Sequence, residues 1–471
     1  MSAVELTFHE RVAEAVDNPA EQLAVATGAR AKFRNRAHAV AEFPAMEATR
    51  ERARLIRAHT LSQLPQYLAQ FSENVEARGG QVFWAQDAAE CNRYITNLAQ
   101  ARGVRHVVKS KSMLTEEVAL NDALQAAGVE VVESDLGEFI LQLCGQKPAH
   151  IIAPVMHMTR HQVGAVFARE LGVPFSDDPA TLNATARSHL RRVFLEAGMG
   201  ISGVNFAVAE SGALCLVTNE GNGRLTTTAP RIHVAVMGME RLVPTLADLS
   251  TMLQLLARSA TGQKLSVYSN IINGPRRDGE CDGPEELHVV ILDNGRSRIL
   301  GSELAEVLYC IRCGACLNAC PVFHTIGGHA YGSVYSGPVG AVLSPLLFGE
   351  KWLALPHASS LCAACREVCP VDIDLPDLLL RLRAEEAASG HAPLWLRLGL
   401  RAYAAIARRP AFFSSALRAG RVAGALLGSE GWIGRLPGPL AGWSAQRDFP
   451  QVAARPFRSQ WKKRRQSEVG Q

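Results

Sequence analysis

Residues 310–321 read Cys310-Ile-Arg-Cys313-Gly-Ala-Cys316-Leu-Asn-Ala-Cys320-Pro321, a Cys-x2-Cys-x2-Cys-x3-Cys-Pro run without a gap. A second run, Cys362-Ala-Ala-Cys365-Arg-Glu-Val-Cys369-Pro370, follows about 40 residues later. Three thiolates two residues apart can wrap one cube of iron and sulfide, because a short turning backbone aims each sulfur at a different iron. The fourth, after a longer step and before proline, is carried away to a second cluster. Soft thiolates also suit zinc. Structural zinc, however, usually takes its ligands as two separated pairs, and an unbroken run ending in Cys-Pro is a poor match. The chemistry these residues point to is one-electron transfer through iron–sulfur clusters.

Aligned on their Cys-Pro ends, the second run matches the first at Cys313, Cys316 and Cys320, and Ser359 stands where the first run has Cys310. Crossed ligation assigns Cys310, Cys313, Cys316 and Cys369 to one 4Fe-4S cluster. Cys320, Cys362 and Cys365 fall to the other, which is left with three cysteine ligands. Ser359, His357, Cys281 or a group from a partner are the candidates for its open corner. Cys281, between Asp278-Gly-Glu280 and Asp282-Gly283, reads as an exposed loop residue, and Cys215 reads as core.

The elements that must hold these runs follow from periodicity. Residues 1–75 read as a helical segment, with helices over Glu21–Val40 and Ala45–Ala69 and a kink or stop at Pro65. Residues 76–300 read as an α/β domain. Its apolar runs Gln81–Trp84, Arg105–Val108, Val129–Val132 and His150–Ala153 alternate with helical segments, as in a mostly parallel sheet. Val204–Val208 and Ala213–Val217 read as a hairpin, and His233–Met237, Leu265–Tyr268 and Leu287–Leu292 as further strands. Residues 301–390 carry seven of the eleven cysteines and suit a helical ferredoxin-type domain. Residues 391–471 read as a docking tail, in which Leu394–Ala407, broken by Arg397 and Arg401, could be an amphipathic helix.

Composition narrows the class. In 471 residues, 48% are hydrophobic and 20% charged, with a net charge of +4, which is ordinary for a globular protein and argues against a nucleic-acid binder. The basic run Lys462–Arg465 reads as a solvated tail or a contact to an anionic surface. Met1–Glu10 lacks an apolar stretch, so a secretory signal is not expected. Glycine, serine and proline interrupt Tyr331–Gly349, so no membrane span is expected there. The expected location is the cytoplasm, where eleven cysteines suggest metal before disulfides.

Polar loops follow several strands of the α/β domain: Lys109-Ser-Lys-Ser-Met113, Ser134-Asp-Leu-Gly-Glu138 and Asn219-Glu-Gly-Asn-Gly-Arg224, with Thr226–Thr228 just beyond. Open α/β sheets bind ligands at this end of their strands. Each loop alone reads as a turn, and lysines such as Lys109 and Lys111 are ordinarily solvated; three such loops together suggest a pocket. His157 and His161 could share a helix face, but no glutamate follows the first as a metalloprotease motif requires. Gly198-Met-Gly200-Ile-Ser-Gly203 reads as a helix stop and turn, since it lacks the strand-then-helix setting of a dinucleotide fingerprint. Glu138, Glu210 and Glu220 are the glutamates available to a transferase mechanism. Neither a nucleophile elbow nor a Walker A loop is present.

The order of these loops, with Ala209-Glu-Ser-Gly212, Val217-Thr-Asn-Glu-Gly-Asn-Gly223 and the two cysteine runs, resembles the lactate-utilisation iron–sulfur protein B family. The resemblance implies a LUD domain similar to the sugar-phosphate isomerase and CoA-transferase-like fold, followed by a helical ferredoxin-type domain. It also implies an electron-transfer role in oxidising L-lactate to pyruvate, with a cysteine-rich iron–sulfur partner and a smaller LUD-domain partner. The three-cysteine second cluster is in keeping with that family. Glycolate, D-lactate or glycerol phosphate as substrate, or a transferase-like enzyme with structural clusters, are the alternatives.

Overall fold

Between residues 80 and 292 short apolar runs alternate with amphipathic segments, and they fold into one parallel sheet flanked by helices. The computed structural model describes residues 6–390, 394–445, 447–453 and 455–469. Ten strands follow in chain order: β1 (Gln81–Ala85), β2 (His106–Lys109), β3 (Glu130–Glu133), β4 (Met199–Gly203), β5 (Phe206–Val208), β6 (Ala213–Thr218), β7 (Ile232–Gly238), β8 (Leu242–Val243), β9 (Tyr268–Ile272) and β10 (Glu286–Leu292). Six form the main sheet in the order β1-β10-β7-β4-β2-β3, every pair parallel. A smaller sheet, β8-β5-β6-β9, contains the expected β5–β6 hairpin.

Three readings of the sequence need correction. Gly198–Gly203 is no turn: Met199–Gly203 is strand β4, paired with β2 and β7. Its glycines answer a packing demand, since a Cβ on Gly200 would lie 1.8 Å from the Thr226 carbonyl oxygen. His150–Ala153 is no strand but a series of bends. Nδ1 of His150 accepts from the backbone N–H of Ile152 (3.0 Å) and Ala153 (3.2 Å), while Nε2 faces Asn318 Oδ1 at 3.1 Å. In the third, the strand expected over Leu265–Tyr268 begins only at Tyr268.

The N-terminal segment folds as α1 (Phe8–Val16), α2 (Pro19–Ala41), α3 (Met46–Ser62) and α4 (Leu64–Glu76). Pro65 falls in the first turn of α4, where a missing N–H breaks no helical bond. On α3, Arg50, Arg54 and Arg57 recur at helical spacing and share a face. Arg50 donates to the carbonyls of Cys369 (2.7 Å) and Arg366 (2.9 Å) and pairs with Asp372 (2.6 Å). Arg54 pairs with Glu306 at 2.6 Å and also donates to the Asp372 carbonyl. From α2, Arg36 donates to the Val368 carbonyl at 3.0 Å. The N-terminal helices are thus a cradle for the cysteine-rich region, whose short helices span residues 305–389.

Two buried histidines make this core acid-sensitive. Burial pulls His150 and His233 down to about 3, against about 6.5 in an unfolded chain. Between those values the unfolded chain binds more protons, so stability falls as pH falls through the window. The pair can add up to about 3 kcal/mol per pH unit. Denaturant titrations between pH 7 and 5 should register this slope. His233→Asn should lower the measured slope by up to about 1.4 kcal/mol per pH unit; an unchanged slope in that variant would assign the acid lability elsewhere.

Contacts divide the chain into two compact units, one ending at Glu385 and one beginning at Glu386. The second unit holds helices Leu394–Ala407, Pro410–Leu427 and Phe457–Val469 and a short ribbon of Trp432–Ile433 with Phe449–Pro450. Leu394–Ala407 buries none of its side chains. The run Lys462–Arg465 lies on the last helix, with the side chains of Lys462 and Lys463 outside the described residues. Among the described residues no helix is long and apolar enough to cross a membrane.

Candidate iron–sulfur centres and the adjoining cleft

The thiols of Cys310, Cys313, Cys316 and Cys369 line one cavity, walled by Ile151, Ile311, Val339, Val371 and Ile373. Electrostatic neighbours divide the cysteines the same way. Cys316 feels Cys310, Cys313 and Cys369, whereas Cys320 feels Cys362, and Cys365 feels both Cys320 and Cys362. Cys316 also feels Cys365, so the two groups adjoin. Among the described residues no three His, Cys, Asp or Glu side chains are placed to hold a single ion. Burial pushes Cys365 up to about 12, Cys369 to about 11 and Cys316 well above its usual range. Thiols so placed become thiolates only against a strong local positive charge, which bound metal supplies. The donor set and its dry walls fit a cubane cluster. Cys281 is exposed on the loop entering β10, at the opposite end of the sheet from the β7 and β10 C-termini.

The two runs share a backbone device. Arg312 and Gly314 flank Cys313 with φ of 59° and 73°, and Leu361 and Ala363 flank Cys362 with φ of 54° and 65°. Non-glycine residues seldom adopt this left-handed conformation. In the first turn the Arg312 N–H donates to Cys310 Sγ at 3.4 Å; in the second the Leu361 N–H donates to Ser359 Oγ at 3.1 Å. Ser359 therefore occupies in its turn the place that Cys310 occupies in the first. Another oxygen lies near: the Tyr331 hydroxyl is buried without a partner, in the field of Cys320, Cys316 and Cys365.

Arginines ring the first cysteine group. Arg36 lies in the field of Cys313 and Cys369, and Arg57, Arg241 and Arg312 lie in that of Cys310. Arg57, 1% exposed, donates to the carbonyls of Leu242 (2.7 Å), Leu308 (2.9 Å) and Glu240. Burial lowers its guanidinium to about 10, and Arg241 adds to this. Sequence reading singled out none of these arginines, though Met239-Glu240-Arg241 directly follows strand β7 and Arg312 stands inside the first run.

A cleft of about 280 Å³ opens at the C-terminal ends of the strands, sharing Arg312 and Ile151 with the thiol cavity. The expected loops meet there: Ser110–Leu114, Asp135 and Thr218–Glu220 all line it. Lys109 does not. It is fully buried, with Nζ 2.7 Å from Glu133, 3.1 Å from Glu116 and 3.0 Å from Thr115. Burial disfavours its charge, but Glu133 and Glu116 more than offset this and raise its pKa. Thr226 bonds Ser134 at 3.0 Å, joining two of the loops. Arg241, Arg296 and Arg312 bring a buried charge network to the floor, described further below. The histidine pair is not a site: His157 precedes the helix that carries His161, facing Gln146 and His329 instead. Glu210 accepts from the Leu246 N–H, and Glu138 is buried.

Both regions match known protein families. A family described as "LUD domain" matches residues 68–292, and one described as "4Fe-4S dicluster domain" matches residues 306–373. The chain is 46% identical to "Lactate utilization protein B" of Bacillus pumilus over 98% of both chains. It is 47% identical to the protein of that name from Bacillus cytotoxicus, again over 98% of both. For Geobacillus kaustophilus the identity is 47%, over 98% of this chain and 97% of the relative. A parallel α/β domain, a helical module holding both cysteine runs and near-full-length similarity together make the chain a member of the lactate utilization protein B family.

Proposed function

We propose that this chain is the iron–sulfur electron-transfer component of a multi-subunit system that oxidises L-lactate to pyruvate and so allows lactate to serve as a carbon source. The reading is carried by the seven cysteines gathered into two adjoining groups inside one module, four of them around one cavity. Cys310, Cys313, Cys316 and Cys369 hold one 4Fe-4S cluster, and Cys320, Cys362 and Cys365 hold the other. The relatives' names support lactate as the substrate. Bound clusters of this kind accept and release single electrons, which suits a two-electron oxidation passed onward in single steps. The chain's own residues set the conditions. Apolar walls exclude water, Arg57, Arg241 and Arg312 offset negative charge beside Cys310, and Arg50 ties the Cys369 backbone to α3.

A cysteine-rich iron–sulfur subunit and a smaller LUD-domain subunit complete the system, working in the cytoplasm. The exposed row Leu396, Leu400 and Tyr403 on the helix Leu394–Ala407 gives the C-terminal unit an apolar face for such a partner. Cluster absorbance tests the proposal. Anaerobic L-lactate should bleach the chain's band near about 400 nm only when the partner subunits are present. Rapid bleaching of the isolated, flavin-free chain would overturn the division of labour, and no bleaching with all subunits present would overturn the lactate reading.

A further inference from the structure

The cleft beside the first cysteine group presents hydrogen-bond donors that the protein itself does not use. Arg312 is 9% exposed, yet its Nε and Nη1 atoms are buried without a partner, as is Nζ of Lys111. All three atoms belong to side chains that line the cleft. Leaving such donors unpaired is costly, most of all for charged groups, so a site of this kind is built for an acceptor.

The charge pattern says which acceptor. Glu240 serves three arginines: Arg296 at 2.8 Å, Arg241 at 3.6 Å and Arg312 at 3.8 Å. Only the Arg296 contact is a close bond, and Arg296 also pairs with Glu117 at 2.8 Å. Arg312 lies over the Tyr335 ring at 4.5 Å, which holds its plane in place. Lys111, also in the lining, lies in the field of Glu138 and Glu220, both held towards their neutral forms chiefly by burial. Counting Glu117 behind Arg296, the lining's four cations face four carboxyl groups, of which Glu220 is held towards its neutral form, so no more than one positive charge is left over. With so small a surplus to draw a doubly charged phosphate, the site suits a singly charged anion with a planar, forked acceptor, the geometry that arginine matches best. Val204, Leu216, Val236 and Met237 supply an apolar wall for a short carbon skeleton.

We propose that this cleft is the binding site for a small organic monocarboxylate, held by Arg312 and Arg241 next to the first cysteine group and by Lys111 from the loop after β2. The inference rests on the preceding functional reading only for its choice of a 2-hydroxy or 2-oxo acid. It puts the acid in the subunit that carries the electrons, in a cleft that shares Arg312 with the cavity of Cys310. The arginines near Cys310 have a competing use in balancing cluster charge, so Lys111 is the discriminating residue.

The experiment is calorimetric titration of the anaerobically prepared full chain, clusters in place, with L-lactate, pyruvate and inorganic phosphate in separate runs. Lactate or pyruvate should bind at one per chain and more tightly than phosphate. Lys111→Met should weaken that binding at least about tenfold, as loss of a charged hydrogen bond does, with iron content and visible spectrum as in wild type. Arg241→Gln should weaken it similarly. Absence of binding by both acids up to about 10 mM, well above ordinary substrate affinities, would overturn the proposal. So would tighter binding of phosphate, or wild-type affinity in both variants. Acid binding that depends on Lys111, in a chain whose clusters the partner subunits never reduce, would uphold this site while removing the electron-transfer reading.

Discussion

Cys369→Ala and Cys310→Ala should give the same product: a chain with about four irons in place of about eight, lacking the same cluster signal. Cys320→Ala and Cys365→Ala should give the complementary product, with only the other signal left. The pairing is counterintuitive along the chain, because Cys369 ends the second run and Cys320 ends the first. The fold supports it. Cys369 lines the cavity of Cys310, Cys313 and Cys316, and Arg50 ties its backbone to α3. Iron analysis and low-temperature EPR of the four variants decide the matter. If Cys320→Ala removed the same signal as Cys310→Ala, each run would bind its own cluster and crossed ligation would be wrong. Stoichiometric zinc without iron in anaerobically purified wild type would end the iron–sulfur reading altogether.

Air should damage the second cluster first. With three thiolates it has one weakly held iron, so brief oxidation is expected to produce a three-iron EPR signal before the first cluster decays. Ser359→Cys should suppress that signal. The expectation has a geometric basis: Ser359 Oγ accepts the Leu361 N–H as Cys310 Sγ accepts the Arg312 N–H, in turns with matching left-handed residues. A thiolate at 359 would begin where the first cluster's fourth ligand begins. Tyr331→Phe removes the other buried oxygen beside these thiols and serves as the contrast. It should leave oxidative loss as in wild type. If Tyr331→Phe instead changed the loss and Ser359→Cys did not, the open corner would face the tyrosine.

The cysteine motif was legible because cluster ligation is largely a local affair. Spacings of two and three residues, with a proline after the last thiol, dictate which sulfurs can reach one cube, and the left-handed turns at Arg312 and Leu361 follow from the same short steps. The parallel sheet was legible for a similar reason, since fully buried strands such as Val234–Met237 and Val289–Leu292 must be continuous apolar runs. Strand β4 escaped notice because its glycines leave no apolar pattern to read. What demands Gly200 is the Thr226 carbonyl, brought in by a helix from later in the chain. The bends at His150 were equally hidden, because the ring's partner Asn318 is 168 residues away.

Sequence by itself therefore pointed to the kind of cofactor, to seven candidate ligands and to an α/β region ahead of a cysteine-rich one. Only the tertiary structure decided what surrounds them. Arg50, Arg54 and Arg57 read as an ordinary charged helix face until α3 is laid against the cysteine module, and Lys109 reads as solvated until Glu133 and Glu116 close over it. The cleft is assembled from loops after β2, β3, β6 and β7 together with Arg312 and Tyr335. Its unpaired donors belong to residues 111 and 312, which no local pattern connects. Thiolate spacing is written along the chain, whereas charge compensation and hydrogen-bond satisfaction depend on which distant atoms share a low-dielectric interior, and that is settled only when the chain has folded.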